Sequence, residues 1–290
     1  MAIEENVNKK ILWLCDFDLD RSPGGAQLSD LAIITKGKLL GFNILKLTNE
    51  TYNSSYDVNN YDILITSNIH SLTHRNPDLL NKISNHKHHV RLEHDSNHYL
   101  SQEDRIKLFS SCKKTFFLSD FHYAFFKHFY GDIFKNVEIN YDPIDTSKFF
   151  DKKCERENKI LYSGYMHLLK GSLTFFEYAL KNPNLQFVVA GWTDNVCLLH
   201  LAKTINNIEF LGHCEHENMP EIYNKYKVMY YEPNLNEPFC RSVAEAMLCG
   251  MSIMTSKQNN IGCINEIAKV GKDKFREECE KAAFNFWQKI

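Results

Sequence analysis

The chain has 290 residues, 43% of them hydrophobic, and a formal net charge of −2. That much apolar side chain supports one large or two medium cores, and the balanced charge excludes a dedicated nucleic-acid or polyanion binder. No stretch approaches the ~20 apolar residues that span a bilayer. MAIEENVNKK at the start has no apolar run of the signal-peptide kind, and the nine scattered cysteines lack a C-x-x-C. They are expected to be reduced, buried or half-buried thiols of a cytoplasmic protein.

Ile11 to Cys15 reads as a buried strand, Asp16 to Gly25 (DFDLDRSPGG) as a turn-rich loop, and Ala26, Leu28, Leu31, Ala32 and Ile34 as the apolar face of a helix. Strand, glycine-rich loop and helix open a doubly wound α/β domain. Asp16, Asp18 and Asp20 read as a solvated acidic loop. An EF-hand fails here, because its sixth position is Arg21 and its twelfth Gln27. Further strands are expected at 43–46, 63–66, 89–92, 115–118 and 137–139, with helices at 104–111 and 121–130. Glu93-His94-Asp95 follows one strand end. His86, His88, His89 and His98 crowd the region without an H-E-x-x-H, and His86, His88 and His98 read as solvated.

The polar run Asp151 to Asn158 reads as a connector. Lys159 to Gly164 is then a strand ending in glycine, and Phe175, Phe176 and Ala179 mark an amphipathic helix. Strands follow at 186–191 and 208–212, a helix at 218–226, and a strand at 228–231. A helix over 243–249 is stopped by Gly250, a buried strand covers 251–255, and a last helix runs over 273–289. Such alternation implies mostly parallel sheets, with ligands at the carboxyl ends of the strands.

Asn234 to Ser256, NLNEPFCRSVAEAMLCGMSIMTS, organises the chain. Glu237 lies on a loop and Glu245 about one turn inside the following helix. The helix start between them offers backbone N–H groups and a positive dipole end to a phosphate. A carboxylate on each side can grip sugar hydroxyls at the two ends of a nucleotide-sugar diphosphate. The stretch E-P-F-C-R-S-V-A-E-A-M-L-C-G-M-S-I-M resembles the E-x-F-G-x-x-x-x-E-A-M-A-x-G-x-P-V-I motif of retaining GT-B glycosyltransferases, the group that includes glycosyltransferase family 4. Cys240 stands for the usual glycine and Ser252 for the usual proline. Tyr141 to Asp145 resembles the turn before the second domain of these enzymes, Gly164 to Gly171 their G-R-x-x-x-x-K-G, Ile208 to Gly212 their V-x-F-L-G, and Gly262 to Ile267, with Glu266, their G-G-x-x-E-I.

The resemblance implies an α/β chain of GT-B type, with two Rossmann-like domains facing each other across a cleft. Residues 1–150 would form the acceptor-side domain, 151–272 the nucleotide-sugar domain, and 273–290 a terminal helix packing back on the first. Glu237 would hold the donor sugar, Glu245 the ribose, and Lys170 the diphosphate with backbone amides near Phe239, Cys240 and Arg241. His94 would support the sugar from the first domain. Gly24, Gly25, Gly164 and Gly212 would let backbone approach the donor. No metal or other cofactor is implied. The partners would be a nucleotide sugar (UDP or GDP) and a sugar, lipid-linked or small-molecule acceptor, with room for peripheral membrane contact but not nucleic acid. Tyr165 departs from the family arginine on the phosphates, and Arg241 is the candidate substitute. Two alternatives stay open: a nucleotide-sugar-binding protein with weak or no transfer, and a metal-dependent transferase using Asp16 and Asp18, since D-x-D marks the other main glycosyltransferase fold.

Overall fold

The computed structural model describes residues 8–96 and 100–290, so His98 lies outside the described residues. The chain divides into two compact units: one runs to Pro143 and takes in Glu277–Ile290, and the other is Ile144–Arg276.

Among the described residues the first unit holds β1 (Lys10–Leu14), α1 (Gly25–Leu39), β2 (Asn43–Leu47), β3 (Ile63–Thr66), α2 (His70–Arg75), α3 (Leu79–Ser84), β4 (His89–Leu92), α4 (Gln102–Ser111), β5 (Lys114–Phe117), α5 (Asp120–Tyr130) and β6 (Val137–Ile139). The strands form one parallel sheet in the order β2-β1-β3-β4-β5-β6. In β1 alternate side chains take opposite faces. Leu12 and Leu14 join a cluster with Leu64, Leu72, Leu79, Ile83 and Leu108. Trp13 instead meets Phe286 and Trp287 at ring distances of 5.7 and 6.5 Å. A strand covered on both faces reads as a continuous apolar run, which is why Ile11 to Cys15 was legible.

Two expectations are corrected in this unit. α1 does not bury the face drawn from Leu28 and Leu31: Leu31 is exposed, and the buried residues are Ser29, Asp30, Ile33, Ile34 and Gly37. The reason is polar. Ser29 Oγ donates to Asp142 Oδ1 at 2.6 Å, and Asp30 Oδ2 accepts from Ser67 Oγ at 2.6 Å. Each buried polar group thus has a partner and can sit where an apolar one was expected. His86 is buried as well, with its Nε2 3.0 Å from the Tyr61 carbonyl.

The second unit holds β7 (Glu157–Ser163), α6 (Ser172–Lys181), β8 (Phe187–Ala190), α7 (Val196–Thr204), β9 (Ile208–Gly212), α8 (Met219–Lys225), β10 (Tyr226–Tyr230), α9 (Arg241–Leu248), β11 (Ser252–Met254) and α10 (Gly262–Val270). Its parallel sheet runs β11-β10-β7-β8-β9. The core packs Tyr162, Phe187, Val189 and Tyr230 against Phe175, Phe176, Ala179 and Leu198. The last helix, α11 (Lys272–Lys289), gives Phe275 to this unit, stacked on Phe239 at 5.7 Å, and Phe286 and Trp287 to the first. None of the nine cysteines is in a disulfide, but Cys154 and Cys197 are exposed rather than buried. Among the described residues no helix is long and apolar enough to cross a membrane.

Candidate active site

In the second unit the carboxyl ends of β7, β9 and β10 carry the loops with the predicted residues. After β10 the chain reaches Glu237, whose N–H donates to the Asn260 carbonyl at 2.8 Å and whose carbonyl accepts from Gly262 N–H at 2.9 Å. Phe239 accepts from Cys263 N–H at 2.9 Å, so the loop is laced to the start of α10 before α9 begins. Cys240 caps α9 with φ +73°, the left-handed conformation that a glycine takes without strain. Its side chain leaves the helix start uncapped. Burial, with the charge of Glu237 adding to it, pushes the Cys240 thiol up to about 12.

Both acids are buried, Glu237 4% and Glu245 2% exposed, and neither is bare. Glu237 Oε1 accepts from Lys170 Nζ at 2.7 Å and from the Tyr231 phenol. Glu245 Oε1 accepts from Arg241 Nε at 2.8 Å and lies 2.8 Å from His216 Nε2. Paired donors are what keep two buried carboxylates tolerable. The pairing also places Arg241 on the acid one turn along, which accounts for its side chain being only 11% exposed.

Lys170 closes a 3-10 turn (Leu168–Lys170) and Gly171 follows at φ +77°. A Cβ on Gly171 would lie 2.0 Å from the Glu232 carbonyl oxygen, so only glycine lets the lysine turn approach the β10 loop. Gly164 has φ +111° and open space where a Cβ would be, and Gly212 has φ +76° with almost as much room. Tyr165 does not stand in for an arginine. Its hydroxyl donates to Asp194 Oδ1 at 2.6 Å, and its ring packs on Trp192 at 4.6 Å.

In the first unit, Gly24 caps α1 in extended backbone and Gly25 is its first residue; neither has a positive φ. His94 follows β4 and is buried, with Nε2 3.0 Å from Asp30 Oδ1 and no partner on Nδ1 among the described residues. Burial alone would lower its pKa. The hydrogen bond and charge of Asp30 outweigh that, with Asp142 and Asp95 adding to it, and hold it above the usual histidine value. Asp16 and Asp18 have separate partners: Asp16 Oδ1 accepts from Leu72 N–H at 2.8 Å, and Asp18 pairs with Lys46 at 2.5 Å. Among the described residues no group of three or more histidine, cysteine or acidic side chains is placed to hold a metal ion.

These two parallel α/β units are the fold of GT-B glycosyltransferases. Residues 144–283, just under half of the chain, match the family model of glycosyl transferases group 1. No curated protein sequence matches the chain. Similar solved structures include sucrose-phosphate synthase from Thermosynechococcus elongatus, with a TM-score of 0.72 at 12% identity over 96% of this chain and 98% of that one. Anabaena HepE in complex with UDP-glucose has a TM-score of 0.63 at 16% identity, covering 97% and 95%. A glycosyltransferase from Rickettsia africae has a TM-score of 0.59 at 14% identity, covering 96% and 94%.

Sequence reasoning missed Tyr231 and His216. Tyr231 lies inside an apolar strand pattern, where a tyrosine reads as core. His216 lies four residues beyond Gly212, and only the fold brings it onto Glu245.

Proposed function

We propose that the protein is a retaining glycosyltransferase that moves a sugar, of hexosyl type, from a nucleotide diphosphate sugar to a hydroxyl of a glycan, lipid-linked or small-molecule acceptor. The observation that carries this is the pair of buried acids either side of the α9 start, with Lys170 2.7 Å from Glu237. Of the nucleotides, UDP comes first, because HepE is similar in fold and binds UDP-glucose. In this scheme Glu245, held by Arg241 and His216, accepts from the ribose. Glu237 accepts from a sugar hydroxyl. Lys170 and the uncapped amides after Cys240 meet the diphosphate, while Phe239 anchors that loop on Phe275. Gly164 and Gly212 leave room for the ligand at the sheet edge. His94 and the Gly24-Gly25 loop, in the first unit, are given to the donor by the resemblance alone, and Asp30 holds the His94 pKa above the usual histidine value.

The bond from the anomeric carbon to the diphosphate breaks, and the bond to the acceptor oxygen forms on the same face, in one front-face step or two displacements. The acceptor proton passes to the departing phosphate oxygen. Preorganised donors stabilise the charge on that leaving group, and they do so here without a metal. The protein would act in the cytoplasm, with peripheral membrane contact where its acceptor is lipid-linked.

One observation favours a second reading. Tyr165, where the resembling enzymes carry an arginine, is turned onto Asp194, and Arg241 donates from Nε to Glu245. A missing charge-assisted contact is worth ~1.5–3 kcal/mol, roughly ten- to a hundredfold in rate. The protein would then bind nucleotide sugars with little turnover. Thermal-shift titration with UDP, GDP, ADP and their sugar conjugates, with and without EDTA, on wild type and Lys170→Ala tests both. A shift that survives EDTA and fades in the variant supports the site as drawn, and turnover of the bound donor separates the two readings. No shift with any nucleotide sinks both.

A further inference from the structure

We propose that Tyr231 is the positioning residue of the Glu237 carboxylate: it commits one oxygen to the protein and so presents the other to a hydroxyl of the donor sugar. The inference rests on the reading of Glu237 as the sugar-holding acid. Tyr231 directly follows β10 and its backbone N–H donates to the Met254 carbonyl at 3.0 Å. Its side chain is 3% exposed. The phenol donates to Glu237 Oε1, the oxygen that also takes Lys170 Nζ. Among the described residues, no partner is found on Oε2.

The Glu237 backbone is pinned on both sides by Asn260 and Gly262, which fixes where the side chain starts. Lys170 cannot alone fix where it ends, because an ammonium on a flexible four-carbon stem is a point charge that follows the carboxylate. Its side chain is also 38% exposed. A buried phenol has one proton in one direction, so it sets the rotation of the carboxylate plane. Burial pushes the phenol well above the usual tyrosine value, which keeps it a donor throughout the working pH range. A site that offers one fixed acceptor to a ligand hydroxyl rejects ligands lacking that hydroxyl, because the buried acceptor is then left unpaired. The protein should therefore distinguish a sugar nucleotide from the bare nucleotide, and Tyr231 should control that difference.

Calorimetric titration of the whole chain with UDP, UDP-glucose, GDP and GDP-mannose tests this on wild type, Tyr231→Phe and Tyr162→Phe. Tyr162 is the control, a buried tyrosine whose hydroxyl is 3.0 Å from Ser172 Oγ rather than on Glu237. Phenylalanine fills nearly the same space in both, so the fold survives. Wild type should bind one sugar nucleotide more tightly than its nucleotide. Tyr231→Phe should leave the nucleotide within twofold and cut the sugar-nucleotide advantage five- to tenfold. Tyr162→Phe should leave that ratio unchanged. An undiminished advantage in Tyr231→Phe, an equal loss in both variants, or a parallel loss of nucleotide affinity overturns the inference while leaving the nucleotide site standing. Failure of wild type to bind any of the four ligands overturns the proposed function itself.

Discussion

Arg241 Nε lies 2.8 Å from Glu245 Oε1, an i,i+4 pair on α9 with 11% and 3% of the two side chains exposed. His216 reaches the same oxygen from the loop after β9. Glu245→Ala takes away the buried carboxylate that Arg241 and His216 share. We expect a loss of about 2–4 kcal/mol in urea unfolding and at least a tenfold loss of nucleotide affinity. His216→Ala leaves Arg241 in place and should cost less than 1 kcal/mol, since that histidine is 38% exposed on its side chain.

Tyr165 stands where the resembling glycosyltransferases carry an arginine. Tyr165→Arg gives up the hydrogen bond to Asp194, which is exposed and of small value, and supplies a cation at the end of β7. Affinity for the nucleoside diphosphate should rise three- to tenfold at low salt, and the gain should shrink in 0.5 M salt because the new charge is screened. Titration at two ionic strengths checks this, and unchanged affinity at low salt would remove that position from the phosphate site.

Gly164 and Gly171 both have positive φ, but their surroundings differ. Gly164→Ala meets no neighbouring atom and should cost only backbone strain, about 1–2 kcal/mol. Gly171→Ala drives a Cβ to 2.0 Å from the Glu232 carbonyl. That contact is with backbone, so the 3-10 turn must move. A loss of at least ~3 kcal/mol is expected in denaturant unfolding, with weaker nucleotide binding because Lys170 moves too.

Two buried histidines should give stability opposite slopes with pH. Burial lowers the His89 pKa to about 3, so it stays neutral in the fold while the unfolded chain takes up a proton below about pH 6.5. Its contribution is complete above pH 6.5 and declines as pH falls toward 3, on the order of 3 kcal/mol by pH 4. His94 is held above its usual value, so its contribution is complete below pH 6.5 and is lost as pH rises through its folded pKa. Urea unfolding from pH 4 to 8.5 should show a flatter acid side in His89→Gln and a flatter alkaline side in His94→Gln.

Much of the fold was legible because its strands are buried on both faces. Ile63 to Thr66 and Phe187 to Ala190 are apolar runs with glycine or polar ends, and such runs announce themselves without knowledge of their neighbours. The short helices His70–Arg75 and Leu79–Ser84 were not legible, since six residues hold too little periodicity to stand out. α1 was legible as a helix but not in its buried face, because Ser29 and Asp30 are buried by partners far along the chain.

The sequence by itself determined the alternation of strand and helix, the position of Glu237 and Glu245 around a helix start, and the glycines that punctuate the sheet edge. Those are local properties: apolar period, turn chemistry and the spacing of two acids along one short segment. Only the tertiary structure decided what each acid touches. Lys170 and Tyr231 meet on one oxygen of Glu237, and Arg241 and His216 on one oxygen of Glu245, though Lys170 and Glu237 are 67 residues apart and His216 and Glu245 are 29 apart. Parallel strands bring their carboxyl ends to one edge whatever their distance in sequence. Partnership across that edge is a fact of strand order, which spacing along the chain does not carry.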